Sequence, residues 1–198
     1  MEKFSIKTAS AANTDSAVGT MVLAFGTDPA ARWLYQDPHE YLSHFPNFVR
    51  AFAGAAFDHD SAFYVGGFLG AAFWLPPGVH PDEKAIFALL ESTVSKEDRP
   101  EVFECFEQMD RYHPTEPHWY LPMIGVDPSQ QHRGIGSALL EHALRRCDRE
   151  GKLAYLESTS PTSVRLYERH GFAMVGKIQA GAAPPIFPMV REPRESRN

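Results

Sequence analysis

The chain has 198 residues, of which 43% are hydrophobic and 22% are charged, a composition typical of a soluble globular protein and not of a disordered, collagen-like or coiled-coil chain. Lysine and arginine number 19 against 25 aspartate and glutamate residues, so the formal charge is −6. This charge disfavours nucleic-acid binding, and no apolar run approaches the roughly 20 residues of a membrane span, so we expect neither partner.

The length and the cysteine content predict one intracellular domain. A chain of this size buries enough surface to fold without a disulfide or metal staple, so residues 1–198 are expected to form a single domain. Cys105 and Cys147 lie far apart and lack CxxC spacing, which indicates no disulfide and no metal site. Free cysteines and the absence of a signal-peptide core in residues 1–12 favour the cytoplasm.

The first half of the chain mixes strand and helix patterns. An aromatic stripe in the second predicted helix, which includes Tyr41, Leu42, Phe45, Phe48 and Phe52, is interpreted as core. In chain order we predict a strand at 4–8, helices at 15–25 and from Pro38, a glycine-linked hairpin at 61–65 and 68–75, and helices at 82–94 and 100–112.

The second half contains a β-α-β pattern. We predict a strand at 118–126, a helix at 134–150 ended by Gly151, and a strand at 153–157. Ser160 and Pro161 form an N-cap and N1 pair that opens a helix ending at Gly171. Strands at 172–178 and 186–190 follow, and the tail at 192–198 is expected to be disordered. The fold class predicted is α/β.

The loop before the helix at 134–150 has the properties of a phosphate site. Helices usually carry an acid in the first turn, yet the first acid after this loop is Glu141. Gly134 and Gly136 leave backbone N–H groups open to close approach, while Gln131 and Arg133 add donors. The segment therefore predicts a phosphate cradle, with an irregular helix entry as the alternative.

Two known phosphate loops fit this segment poorly. The chain has no GxxxxGK[ST], which excludes a P-loop nucleotide-binding protein. Gly134-x-Gly136, followed by Glu157 about twenty residues later, is half of a dinucleotide fingerprint. Against a Rossmann domain, position 139 is leucine, seven residues separate Val126 from Gly134, and six parallel strands are not predicted.

Two motifs carry a family resemblance. Gln131-x-x-Gly134-x-Gly136 after a Val-Asp-Pro strand end resembles the acyl-CoA pyrophosphate loop of the GNAT superfamily of acetyl-CoA-dependent N-acetyltransferases. The segment at 160–172, in which a helix ends in Tyr-x-x-x-Gly-Phe, is similar to the later signature of that family. Residues 118–172 look closest to the branch that includes puromycin N-acetyltransferase.

The resemblance implies a fold and a division of the chain. It implies a twisted, mostly antiparallel sheet of about six to seven strands, splayed between strands 4 and 5, with helices on both faces. It further implies acetyl-CoA as cosubstrate and no metal. The parts would be a variable acceptor-side half at 1–115, an acyl-CoA core at 116–178, a last strand at 179–191 and the tail.

The resemblance also implies a cofactor site. Ile124, Gly125 and Val126 would pair with the pantetheine arm, and Pro122 and Gly125 favour a bulge or an unpaired edge there. Ser160 and Ser163 stand where the family often has asparagine, and would contact pantetheine or cap the helix. The pyrophosphate would be bound by Gln131, His132, Arg133, Gly134, Ile135, Gly136 and Ser137.

Direct attack of an amine on a thioester needs two proton carriers. Tyr167 matches the tyrosine of the family near the thioester sulfur, and is the expected general acid. For the general base, His118 has the best-matched pKa and shares a strand face with Tyr120 and Ile124 if the alternation survives Pro122. Glu157 is the other candidate, and water alone is a third possibility.

The expected function is N-acetylation of a small-molecule amine, with homodimerisation left open. Aromatic and acidic residues of the first half, namely Trp33, Tyr35, Asp37, Glu40 and the hairpin at 68–74, would form the acceptor pocket. One alternative is a non-catalytic acyl-CoA-binding or sensing module. Another is a protein N-acetyltransferase.

Overall fold

A seven-stranded mixed sheet forms the centre of residues 4–194, which are the residues described by the computed structural model. Its spatial order is β1-β2-β3-β4-β5-β7-β6, and only β4 and β5 run parallel. The mostly antiparallel mixed α/β fold is therefore confirmed. The strands are β1 (Ile6–Thr8), β2 (Ala62–Val65), β3 (Gly70–Leu75), β4 (His118–Val126), β5 (Leu153–Ser158), β6 (Ala173–Met174) and β7 (Phe187–Arg191).

Helices cover both faces of the sheet, as predicted. They are α1 (Thr14–Ala24), α2 (Pro29–Leu34), α3 (Pro38–Ala53), α4 (Glu83–Thr93), α5 (Arg99–Tyr112), α6 (Ile135–Glu150) and α7 (Pro161–Arg169). Met21 of α1 and Phe45 of α3 belong to one core layer, and Leu139 of α6 and Val164 of α7 to the other. Every residue of β3 is buried, because the sheet is packed on both sides. None of these helices is long and apolar enough to cross a bilayer.

Three predictions differ from the structure. Only Ala173–Met174 of the predicted strand 172–178 is a strand, and Ile178 forms an isolated bridge with Ile186. Leu42 of the aromatic stripe is 61% exposed rather than core. In the predicted tail, the Arg194 N–H donates to Asp148 Oδ1 at 2.8 Å, while positions 195–198 lie outside the described residues.

The sheet splays between β4 and β5. These strands pair only from His118–Leu153 to Leu121–Leu156, whereas β4 continues to pair with β3 as far as Val126–Gly70. The β3–β4 register shifts between Phe73 and Leu75, opposite Pro122. The predicted irregularity thus lies at the proline, and the β5-facing edge of β4 beyond Leu121 is left without a strand partner.

A buried ion pair fastens the last strand to α6. The Arg191 side chain is 3% exposed, donates to both Asp148 carboxylate oxygens at 2.7 and 2.9 Å, and donates through Nε to the His170 carbonyl. Asp148→Asn leaves a buried guanidinium without its counter-charge, so the free energy of unfolding in urea at pH 7 is expected to fall by about 3 kcal/mol. Asp15→Asn, which breaks an exposed pair with Arg50, is the control and should cost less than about 1 kcal/mol.

This ion pair also predicts an acid sensitivity. Burial opposes ionisation of Asp148, but hydrogen bonds from Arg191 and Arg194 outweigh it and lower the pKa of the carboxyl. Because the folded pKa lies below the unfolded value of about 3.9, the contribution is complete above that value and disappears as pH falls through the folded pKa. The stability difference between wild type and Asp148→Asn should shrink in that window. A difference that is constant from pH 7 to pH 2 would contradict this.

Candidate active site

The start of α6, residues 134–137, is called the α6 tip. Gly134 has φ +91°, a left-handed conformation that favours glycine, and it immediately precedes the helix. The first turn carries no acidic side chain within the described chain, so the first N–H groups and the positive end of the helix dipole lack a carboxylate partner there. The tip thus has the charge and the exposed donors of an anion site.

Packing requires glycine at one of two positions near the α6 tip, but not at the other. A Cβ on Gly125 would lie 2.6 Å from the Cβ of Ala24, so glycine here permits α1 to pack against β4. A Cβ on Gly136 would meet Leu166 only at 3.5 Å, an ordinary contact. Gly136 is therefore not demanded by the packing of the protein, and its missing side chain leaves room on the cleft side.

A cleft of about 600 Å³ lies between the open edge of β4, the α6 tip and α7. Arg133, Ser160 and Ser163 are not among the residues that line it. Ser160 instead caps α7, its Oγ accepting from the Thr162 N–H at 3.3 Å. The cleft brings together ten of the predicted site residues: Ile124, Gly125, Val126, Gln131, His132, Gly134, Ile135, Gly136, Ser137 and Tyr167.

Several residues that line this cleft were not among the predicted site residues. Arg165 and Arg169 lie four residues apart on α7 and place two positive charges on its wall. Because α7 was predicted from the sequence, the i, i+4 spacing of these arginines could have shown that they share one face of that helix. Phe25, Asp28 and Thr159 also line the cleft and were not predicted.

Tyr167 lies on the α7 wall of the cleft and is 7% exposed. Burial, and then the negative charge of Asp28, raise the pKa of its phenol well above the ordinary value near 10. The ring is in edge contact with Phe172 at 6.0 Å between centroids. A phenol held in place and protonated at neutral pH can donate a proton to a group in the cleft.

An apolar cavity of about 110 Å³, here called the inner cavity, adjoins the cleft. Phe25, Asp28 and Thr159 line both spaces, so the cleft and the cavity adjoin at these residues, here called the junction. Among the lining residues, all within 4–194, only Asp28 and Glu157 are charged. The core interpretation of the α3 stripe is incomplete, because Phe45, Phe48 and Phe52 line this cavity.

Asp28 is the least expected residue of the junction. Its Oδ1 accepts from the N–H groups of Ala30 and Ala31 at 3.0 Å, which caps α2, and its Oδ2 accepts from the Thr159 hydroxyl. Burial raises the pKa of Asp28 despite these hydrogen bonds. The capping bonds hold one carboxylate at the point where the cleft meets the cavity.

Most of the predicted acceptor residues lie elsewhere. Trp33 does line the inner cavity. Tyr35 is buried with its hydroxyl bonded to Thr93 Oγ1, and Asp37 caps α3. Glu40 lies 3.0 Å from His44, and the hairpin strand β3 belongs to the core.

Glu157 lies on the cavity wall with its side chain only 4% exposed. His113 Nε2 lies 3.1 Å from the buried Oε1 of Glu157, so a protonated His113 forms an ion pair with it. Burial, and then the charge of Glu157, raise the pKa of the neighbouring Tyr120 and Tyr155 hydroxyls. Glu157 is thus a buried carboxylate on the cavity wall, with its Oε1 next to His113 and with two tyrosines nearby.

His118 does not reach the cleft or the inner cavity. It lies in a separate outer groove, defined by His80, Phe87, Glu107, Asp110, His113 and His118, and its Nδ1 is 2.8 Å from the Glu116 carbonyl. Burial, and then the charge of His113, lower its pKa. The predicted alignment of His118 with Ile124 does not hold, because the register shift at Pro122 interrupts the strand alternation.

A model of the acetyltransferase (GNAT) family matches residues 29–172. The chain belongs to the GNAT family of acetyltransferases. An uncharacterized N-acetyltransferase of Schizosaccharomyces pombe is 27% identical over 194 residues, covering 89% of this chain and 78% of that protein.

Solved GNAT structures share the fold. A Corynebacterium glutamicum protein named histone acetyltransferase HPA2 and related acetyltransferase is 24% identical, with a TM-score of 0.69 over 98% of this chain and 99% of that one. Arylalkylamine N-acetyltransferase 2 of Aedes aegypti is 14% identical, with a TM-score of 0.68 over 98% and 100%. The family match spans the α6 tip, Glu157 and Tyr167. In this GNAT chain, residues 4–194 contain no group of three His, Cys, Asp or Glu arranged to hold a metal ion.

Proposed function

We propose that this GNAT protein is an acetyl-CoA-dependent N-acetyltransferase whose acceptor is a small-molecule amine. The observation that carries the proposal is the junction at Phe25, Asp28 and Thr159, where the cleft beside the α6 tip adjoins an apolar cavity. A proton donor, Tyr167, lies on the cleft side, and a carboxylate, Glu157, lies on the cavity side. The name of the Schizosaccharomyces pombe relative supports N-acetylation.

The residues of the cleft fit acetyl-CoA. The N–H groups of the α6 tip and the side chains of Arg165 and Arg169 suit the phosphates, because they offer donors and positive charge. The unpartnered edge of β4 from Met123 to Val126 suits the amides of the pantetheine arm, which would add to it like a strand. When bound, acetyl-CoA supplies the thioester carbonyl carbon that the amine attacks.

Two protein groups would handle the protons. The ammonium ion first releases one proton to solvent, which leaves a neutral amine. Glu157 then accepts the second proton, which the nitrogen loses as it bonds to the acyl carbon. Tyr167 donates its phenolic proton to the sulfur as the carbon–sulfur bond breaks, and regains one from solvent afterwards. The products are the acetylamide and free CoA, so the proton gained by Glu157 balances the one given by Tyr167.

A turnover assay with purified protein tests the proposal. Acetyl-CoA is mixed with a panel of primary amines, and free thiol is followed with a chromogenic reagent. Thiol release that depends on the amine, with the acetylamide found by mass spectrometry, is expected. CoA binding in calorimetry with no amine-dependent turnover would overturn the proposal in favour of the sensing module.

The variant Gly136→Ala tests phosphate binding at the α6 tip without reducing the stability of the fold. Alanine fits the helix geometry and meets only ordinary contacts, so the melting temperature of the apo protein should be equal to or above that of wild type. Its methyl group faces the cleft, so CoA affinity by calorimetry should fall by about 10-fold.

Gly19→Ala is the matched control for this variant. Gly19 lies inside α1 with no atom within 4 Å of its added Cβ, and it does not line the cleft. It should raise stability in the same way and leave CoA affinity unchanged. Equal CoA affinity in Gly136→Ala and wild type would argue against phosphate binding at the α6 tip.

A further inference from the structure

The walls of the inner cavity are mostly apolar, and their aromatic rings pack against one another. The rings of Phe48 and Phe52 stack at 5.3 Å between centroids, and Phe106 meets both edge-on at 6.5 and 6.4 Å. Trp33, Val102 and Met109 add further apolar surface to the wall. Rings packed in this way leave a preformed space for an apolar group, and this aromatic wall offers no strong hydrogen-bond partner to a polar one.

The size of this space limits what enters it. Its volume is about 110 Å³. An engineered protein cavity of roughly 150 Å³ binds benzene, so this smaller cavity sets an upper limit of about one ring or a short branched alkyl group. A fused two-ring group is larger than the space and would have to displace the phenylalanines.

Charge orients the ligand. The two carboxylates of the cavity are Asp28, at the junction with the cleft, and Glu157, which is buried beside His113. A cation near these carboxylates would be paired, whereas a second cation deeper in the cavity would be desolvated among phenylalanine side chains. The amino group therefore belongs at the junction, and the apolar end belongs in the cavity.

From these observations we infer that the acceptor is a primary monoamine joined by a short linker to one compact apolar group, no larger than a phenyl ring. This inference rests on the proposed function. It selects against diamines and polyamines, and against amines with fused rings.

The structure also identifies the residues that set the size limit. Phe52, Phe106 and Met109 line both the inner cavity and the outer groove, so they form the wall between the two spaces. Removing the Phe106 ring would join the cavity to the groove. A variant with this change should therefore accept a larger apolar group.

The experiment compares kcat/KM for 2-phenylethylamine, tryptamine and putrescine at saturating acetyl-CoA. In wild type, 2-phenylethylamine should exceed tryptamine by about 10-fold or more, and putrescine by about 100-fold or more. In Phe106→Ala, the ratio of tryptamine to 2-phenylethylamine should rise by about 10-fold. If Phe106→Ala does not melt cooperatively, Met109→Ala is used in its place, because it opens the same wall.

Phe87→Ala is the matched control. Phe87 contacts the ring of Phe106 at 6.3 Å and lines the outer groove but not the cavity, so its removal should leave the ratio unchanged. If the wild-type protein acetylates amines but prefers putrescine or tryptamine, the inference is overturned and the proposed function stands. Acetylation of no amine would overturn the proposed function.

Binding gives a readout that is independent of turnover. Trp33 lines the cavity, whereas Trp74 and Trp119 are buried in the other core layer. Titration with 2-phenylethylamine should change the tryptophan fluorescence of wild type and not that of Trp33→Phe. Equal changes in both proteins would place the amine elsewhere and overturn the inference.

Discussion

Replacing Tyr167 by phenylalanine is expected to lower kcat by about 100-fold or more while leaving CoA affinity within about twofold. The change removes one hydroxyl from the ring of Tyr167, which packs against Phe172, so the shape of the cleft is preserved. The departing thiolate then lacks its proton donor. Steady-state turnover with the best amine of the panel, together with calorimetry with CoA, measures the two quantities separately.

The raised pKa of Tyr167 makes this prediction specific in its pH dependence. Because burial holds the pKa well above the ordinary value near 10, the phenol stays protonated through pH 9. The defect of Tyr167→Phe should therefore be the same at pH 7 and pH 9. Tyr64→Phe, which removes a hydroxyl outside the cleft and cavity, is the control. Wild-type kcat in Tyr167→Phe would exclude this residue as the acid.

Glu157→Gln is expected to lower kcat by about 100-fold, since it removes the buried proton acceptor of the inner cavity and keeps its shape. His118→Gln should leave kcat within about twofold, because His118 lines the outer groove and contacts neither the cleft nor the cavity. Turnover with the same amine, with melting temperatures to verify folding, distinguishes the two bases proposed from the sequence. A large loss in His118→Gln with normal turnover in Glu157→Gln would reverse the assignment.

The elements with strong local signals were predicted well. The strand at His118–Val126 has the predicted bounds, and the helix ending at Glu150 begins within one residue of its predicted start. Their signals are local: apolar periodicity, a cap residue, or a glycine in a left-handed conformation. The short helix α2 was missed, although Asp28-Pro29 repeats the cap and proline pair seen at Asp37-Pro38 and Ser160-Pro161. Six residues are too few for the hydrophobic period to be visible.

The α6 tip could be deduced along the chain because its properties depend on neighbours in sequence. A left-handed Gly134, free N–H groups and the absence of a first-turn acid are consequences of residues 134–138 and the helix dipole. The same is true of Ser160, whose capping bond to Thr162 is local. Local chemistry therefore predicted the geometry and charge of the α6 tip, and the resemblance of two local motifs predicted the family.

The acceptor side depends on contacts between distant segments. The inner cavity is built from α2, α3, α5, β4 and β5, and Asp28 meets Thr159 across 131 residues. His118 and Glu157 were comparable candidates in the sequence, yet the folded chain places His118 in the outer groove and Glu157 on the wall of the cavity. Side-chain packing between such elements is set by the sheet register and the volumes of the groups that meet. Neither is encoded in a local pattern, so the inner cavity, which is the proposed acceptor pocket, could be recognised only from the folded chain.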